Sequence, residues 1–354
     1  MAHEDTRPSG RKRRICIYGG TDASAKMERF IIELTPAIIE RLDCVIVSGG
    51  VKRNKRLKKP NQCSVDLAVL KAVKRYARTK ERNLDSFFQA WIPDPEHSTR
   101  EHIERMSEKK DGVKVKIMKE RSDLGRRLRL VRDIDHLVTF KGKRHTETVL
   151  EQALEINRPA LPLPFTGGDS KYFWKTYKSR IQEWFPALND THARKLERFS
   201  PGISSERDAA IIRLIVEILA SARFKCLVLL PYDDEHNKIY EDTIEPAVST
   251  EMCPDRLDRR VSNRTISQNF AQSFRECLAI IADVTQENLS VMYEIGYARA
   301  KGTMPFLFSR RPIDDLKLPV YLTEQNVMVV KDDDELREGI RNYLRATMKR
   351  DADQ

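Results

Sequence analysis

The chain has 354 residues, of which 40% are hydrophobic and 33% charged, with a formal net charge of +11. That length suits two domains better than one core. No apolar run approaches the roughly 18 residues a membrane span requires, so we expect a soluble, cytoplasmic protein with no membrane partner.

In chain order, the basic cluster Arg11-Lys12-Arg13-Arg14 is not followed by the apolar region and small-residue cleavage site of a signal peptide, and residues 1–14 read as a disordered basic tail. ICIYG (15–19) is a short strand running into Gly19-Gly20-Thr21. Phe30, Leu34, Ile38 and Leu42 mark a helix over 25–41. CVIVSGG (44–50) is a second strand, followed by a basic stretch and a helix around 64–80. Residues 83–111 are polar, carry WIPDPEHS and read as an insertion or lid. VKVKIM (113–118), HLVTF (136–140) and ALPLP (160–164) are further strands, separated by helices at 122–132 and 146–157. A last helix of this half runs from Gly167-Gly168 through Phe185.

Residues 187–206 are polar, rich in turn formers, and predict a linker. A helix at 206–221 and strand FKCLVLLP (224–231) open a second α/β unit. Helix 265–275, strand CLAIIAD (277–283), an apolar helix from Leu289, strands MPFLFS (304–309) and NVMVVK (326–331), and helix 333–348 complete it. The fold expectation is α/β: two Rossmann-like or flavodoxin-like parallel-sheet domains, 15–186 and 207–354, joined by a short linker.

The six cysteines form no CxxC pair and several sit in strand-like runs, so we expect buried thiols and neither disulfides nor a metal site. The run VKRNKRLKKP (51–60) holds six Lys or Arg without interleaved aromatics. It reads as a solvated basic face, and nucleic acid is not the expected partner.

In a parallel α/β sheet, ligands sit beyond the carboxyl ends of the strands, where the strand order reverses. In the first domain those ends carry Gly19-Gly20-Thr21, Ser48-Gly49-Gly50, Gly142 and Gly167-Gly168. Glycine allows close backbone approach to a phosphate, and helix N-termini favour anions. The stretch MKER (118–121), then HLVTFKGKRHTETVLEQA (136–153) and RPALPLPFTGG (158–168), resembles the LOG/SLOG superfamily of phosphoribohydrolases, lysine-decarboxylase-like proteins and nucleotide sensors of antiphage effectors. On that resemblance Arg121 matches the family arginine, Gly142 the first loop glycine and Thr146 the loop threonine. The family's catalytic Glu falls on Val149, and Lys143, Arg144 and His145 replace neutral loop positions. Valine cannot stabilise an oxocarbenium-like centre, so the expectation is a domain that binds a nucleotide without cleaving it.

In the second domain, DVTQENLSVMYEIGYARAKG (283–302) places one carboxylate, Glu294, in an otherwise apolar helix that Asn288 caps. Unpaired burial raises a carboxyl pKa and is tolerated more often for function than for stability. CLAIIADVTQENLSVMYEIGYARAKG resembles the ADxTxxNxNVxYExGxAxAxG segment of the nucleoside 2-deoxyribosyltransferase-like and TIR-like group. Asp283, Asn288, Tyr293, Glu294 and Gly296 match it, with Ser290 at the second Asn. The resemblance implies that Glu294 acts on the anomeric carbon of an N-glycoside, with Asp283 a further catalytic candidate as proton donor. It also implies that Tyr232, Asp233, Asn288 and Tyr293 contact substrate. A cationic leaving group such as the nicotinamide of NAD needs no proton donor, whereas a neutral base does.

Together the two resemblances imply a bacterial antiphage effector. A nucleotide second messenger, cyclic or of the ADP-ribose type, would bind the first domain and switch on NAD cleavage in the second, through a homo-oligomer. NAD is then substrate, and no cofactor is expected. A deoxyribosyltransferase or nucleotide N-glycosidase with a regulatory domain, and a non-catalytic nucleotide-binding adaptor, are the alternatives.

Overall fold

The computed structural model describes residues 12–53, 63–93, 101–102, 114–118, 122–222, 224–259, 269–271, 273–274, 277–300, 302–316, 318, 322 and 327–350. The chain forms two compact units, residues 1–222 and 223–354. Among the described residues, no helix is long and apolar enough to cross a membrane.

The first unit opens with β1 (Arg13–Gly19), α1 (Ala25–Leu42), β2 (Cys44–Ser48), β3 (Val51–Arg53) and α2 (Val65–Thr79). It continues with β4 (Phe88–Pro93), β5 (Glu101–His102), β6 (Lys114–Met118), α3 (Asp123–Arg132), β7 (His136–Phe140), α4 (His145–Glu155) and β8 (Ala160–Leu163). Helices α5 (Gly168–Trp184), α6 (Asp190–Glu197) and α7 (Ser205–Ala220) close it. The sheet runs β6-β4-β2-β1-β7-β8, and every pair in it is parallel. β2 and β7 are buried along their whole length, as expected of strands covered by helices on both faces. The order reverses between β1 and β7, so the crevice of this unit lies beyond Gly19 and Phe140.

Four expectations change here. The strand begins at Arg13, with Arg14 N donating to Asp135 Oδ2 at 2.6 Å, so the predicted tail ends earlier; residues 1–11 lie outside the described residues. Phe88–Pro93, read as part of a lid, is a central strand whose Phe88, Ala90 and Trp91 are fully buried. Its Pro93 and the short apolar run masked it. The predicted linker contains α6, capped by Asn189 Oδ1. Helix α7 belongs to the first unit, because Ile211, Ile215, Ile218 and Leu219 share one core with Phe30, Ile31 and Leu34 of α1. The boundary falls after Ala222, about one helix later than the sequence suggests.

The second unit comprises β9 (Lys225–Leu229), α8 (Asp234–Ile239), a π turn (Tyr240–Ile244), α9 (Glu245–Ser249), β10 (Cys253–Asp255) and β11 (Cys277–Asp283). It ends with α10 (Leu289–Ala300), β12 (Phe306–Ser309), β13 (Val327–Val329) and α11 (Asp333–Arg350). Its sheet is again wholly parallel, in the order β10-β9-β11-β12-β13. This is the 2-1-3-4-5 order of flavodoxin-like sheets, with the switch point between β9 and β11. The apolar residues of β9 and β11 alternate between two cores, one holding Cys226, Val228 and Ile281 and the other Leu227, Leu229 and Ile280. Both units are therefore α/β, as expected. Most of the predicted helix 265–275 lies outside the described residues.

Candidate functional site

In the first unit, the crevice at the β1/β7 switch point holds a cavity of about 230 Å³ lined by Gly20, Asp22, Ser24, Val65, Lys141 and Thr166. Gly20 N donates to Phe140 O at 3.1 Å, locking the two strand ends together. Lys141 Nζ pairs with Asp22 Oδ2 at 2.7 Å, while Lys141 N donates to Thr166 Oγ1 at 2.7 Å. Gly142 (φ 94°) tucks under Thr146, whose Oγ1 would lie 2.1 Å from an added Cβ. Gly168 (φ 58°) meets Gly142 O in the same way at 2.3 Å, whereas Gly167 (φ 79°) faces open space. The structure thus brings Gly19, Gly20, Gly142, Thr146, Gly167 and Gly168 to one edge, with the exposed Lys143 and Arg144 following Gly142. Arg121 lies outside the described residues.

The β2 end is different. Ser48 Oγ donates to Asp66 Oδ1 at 2.5 Å, Gly49 N donates to the same oxygen at 3.1 Å, and Gly50 N donates to Ser48 Oγ at 3.2 Å. Two of these donors are committed to the carboxylate of Asp66 and the third to the Ser48 hydroxyl. Around them sit the buried Tyr18, Arg126 and Arg127, the last two from α3. Burial pushes the Tyr18 phenol up, against the pull of Arg126 and Arg127. Sequence reading missed this cluster, because RRLRLVR shows only a basic amphipathic helix and the contact with β2 is tertiary. Val149, at the position of the family's catalytic Glu, is a fully buried core residue. No carboxylate therefore occupies that position.

In the second unit, the loop after β11 is pinned by Asp283. It is 1% exposed, and Oδ1 accepts from Thr285 N at 2.7 Å. Burial raises its pKa. Among the described residues its Oδ2 has no hydrogen-bond partner, and it lies 3.7 Å from Nε2 of the buried His236. The other imidazole nitrogen, Nδ1, lies 2.7 Å from Asp233 Oδ1, and Asp233 also accepts from His236 N at 2.9 Å as the cap of α8. These contacts hold Asp233 below the usual carboxylate range, led by the backbone N–H of His236. His236 was not singled out from sequence, since a lone His two residues after Asp234 carries no pattern.

Asn288 caps α10 as expected, its Oδ1 accepting from Ser290 N at 3.0 Å and Val291 N at 3.1 Å. Glu294 follows on that helix, partly buried, and among the described residues no hydrogen bond or ion pair engages it. Burial alone pushes its carboxyl up to about 7. Tyr232, just beyond β9, has its phenol pushed up to about 12 by burial and by the charge of Glu294, which places the two side chains in one neighbourhood. Tyr293 is exposed and lies 5.9 Å from Phe270, which with Phe274 and Tyr297 forms an aromatic cluster along α10. The switch-point edge thus gathers Tyr232, Asp233 and Asp283, with Glu294 on the helix that follows. Among the described residues no group of His, Cys, Asp and Glu forms a metal-binding set.

No protein-family model and no curated protein matches this chain. Solved structures do match it. A structural-genomics protein, TM1055, is 16% identical, with 57% of this chain and 98% of that chain covered and a TM-score of 0.32. A molybdenum cofactor binding protein from Rippkaea orientalis is 14% identical, covering 48% and 88% at a TM-score of 0.31. A molybdenum cofactor carrier protein from Chlamydomonas reinhardtii is 17% identical, covering 42% and 75% at a TM-score of 0.28. These are distant likenesses.

Proposed function

We propose that the second unit cleaves an N-glycosidic bond, with NAD as the substrate that fits best, and that the first unit binds a nucleotide that controls it. The observation that carries the reading is Glu294, a carboxyl without a partner, raised to about 7 by burial alone and close to Tyr232 at the flavodoxin-like switch point. An ionised carboxylate in an apolar surround stabilises an oxocarbenium-like C1, or attacks it, far more strongly than one in water. Nicotinamide leaves NAD without protonation, so one carboxylate suffices. Asp283 acts in this reading as a positioning residue, because it is buried and holds the loop that leads into α10. Water takes the ribosyl centre, giving nicotinamide and ADP-ribose.

The role of the first unit as a binding domain rests on the switch-point cavity lined by Gly20, Ser24, Lys141 and Thr166, and on Val149 where a catalytic carboxylate would stand. Antiphage defence, with NAD depletion triggered by a nucleotide signal, is the biological setting this pairing suits. Purified protein incubated with NAD should release nicotinamide, and faster with an activating cyclic nucleotide than without. Glu294→Gln should lower that rate by at least about a hundredfold. Wild-type turnover by Glu294→Gln would remove the assignment. A panel of nucleosides in the same assay distinguishes a deoxyribosyltransferase, which would exchange bases and leave NAD intact.

A further inference from the structure

A buried cation stands at the same sheet edge. Arg256 follows β10 directly and is 2% exposed. Its Nη2 donates to Pro231 O at 3.2 Å, and its Nε forms an ion pair with Asp258 Oδ1 at 3.0 Å. The guanidinium carbon lies 5.6 Å from the ring centre of Tyr232 and 5.1 Å from that of Tyr240, which begins the π turn. Nη1 is buried and, among the described residues, has no hydrogen-bond partner. Buried guanidinium donors are normally satisfied, because all five N–H groups are strong and none can be lost by deprotonation.

The topology places this donor with the chemistry. β10 pairs with β9 in parallel, so Arg256 and the Pro231-Tyr232 turn leave the sheet at one edge. Tyr232 neighbours both the guanidinium of Arg256 and the carboxylate of Glu294. Asp258 balances the charge on one side of the fork, and the donor left over, Nη1, suits a further acceptor oxygen, for which a phosphate has the geometry.

We propose that Arg256 is a phosphate-binding subsite of the Glu294 site and restricts it to phosphorylated N-glycosides, nucleotides and dinucleotides, over free nucleosides. The word glycoside rests on the reading of Glu294 given above; the anion subsite does not. Aromatic contacts with Tyr232 and Tyr240 hold the guanidinium in place before the ligand arrives.

The test needs a signal from this site alone, because the first unit is also proposed to bind a nucleotide. A Tyr232→Trp reporter supplies one, read by fluorescence and corrected by the same titration on protein without the reporter. ADP-ribose and inorganic pyrophosphate should give saturable changes, and adenosine should give none. Adding Arg256→Gln should weaken ADP-ribose binding tenfold or more, and Arg256→Lys less. If Arg256→Gln does not fold, as judged by thermal melting, a tighter ADP-ribose Kd for Arg than for Lys at this position carries the same information. An affinity within twofold across these variants, or no saturable response to any phosphate-bearing probe, overturns the proposal. If binding depends on Arg256 and NAD is never cleaved, the subsite stands and the assignment of Glu294 falls.

Discussion

The two carboxyl edges of this protein differ in how they treat their polar groups. In the first unit, Asp66 takes up the hydrogen bonds of Ser48 and Gly49, Asp22 pairs with Lys141, and Thr166 accepts from Lys141 N. In the second, among the described residues, Glu294 stands unpartnered, Asp283 Oδ2 lacks a hydrogen bond and Arg256 Nη1 is uncommitted. An edge whose polar groups satisfy one another is suited to holding a shape around a ligand. One that leaves charged groups desolvated stores the electrostatic bias that bond cleavage uses.

Substitutions can break or sharpen this contrast. The largest expected effect is on stability against pH. With a folded value of about 7 against an ordinary carboxylate near 4.5, Glu294 favours the folded state only while protonated. Its contribution is full below pH 4.5 and is lost as the pH rises through 7, a swing of about 3 kcal/mol. Denaturant titrations should therefore show Glu294→Gln level with the wild type at pH 4.5 and more stable than it at pH 8. An advantage independent of pH would mean that the carboxyl is not desolvated.

Next in size is Gly168→Ala. The added Cβ would meet Gly142 O at 2.3 Å in a left-handed conformation, and the first unit should lose about 1–3 kcal/mol. Gly167→Ala faces open space but puts an L residue at φ 79° and ψ −165°, so backbone strain alone should cost about 1–3 kcal/mol, and less than Gly168→Ala, which adds the clash. Equal losses at the two positions would show that the close approach of the two loops does not matter. The smallest effect belongs to Asp22→Asn. A partly exposed ion pair is worth up to about 1 kcal/mol, so freeing Lys141 should tighten binding of a phosphorylated nucleotide to the first unit only a few-fold by calorimetry. Weaker binding would mean that Asp22 contacts the ligand.

Much of this was legible in the sequence. The strands ICIY, CVIV, HLVTF and CLAIIAD are short, mostly apolar runs that close on Asp or reach a Gly within two residues, which is how a parallel sheet with a ligand edge reads. Asn288 and Glu294 stood out because a cap and a single charge break an apolar pattern. Strand β4 did not, since its run is short and ends in Pro93. Helix α7 was visible but its owner was not, because its packing on α1 involves residues far apart in sequence. Arg126, Arg127, His236 and Arg256 were also hidden. Each is an ordinary polar residue until the fold buries it.

The most direct test of the central claim is the pH–rate profile of NAD cleavage by the wild-type protein, with Glu294→Gln as the baseline. If the ionised Glu294 carboxylate does the chemistry, kcat/KM rises with a midpoint near 7, levels off above it, and the variant stays flat at background. A wild-type profile that is flat from pH 5 to 8, or a variant that follows it, would contradict the account.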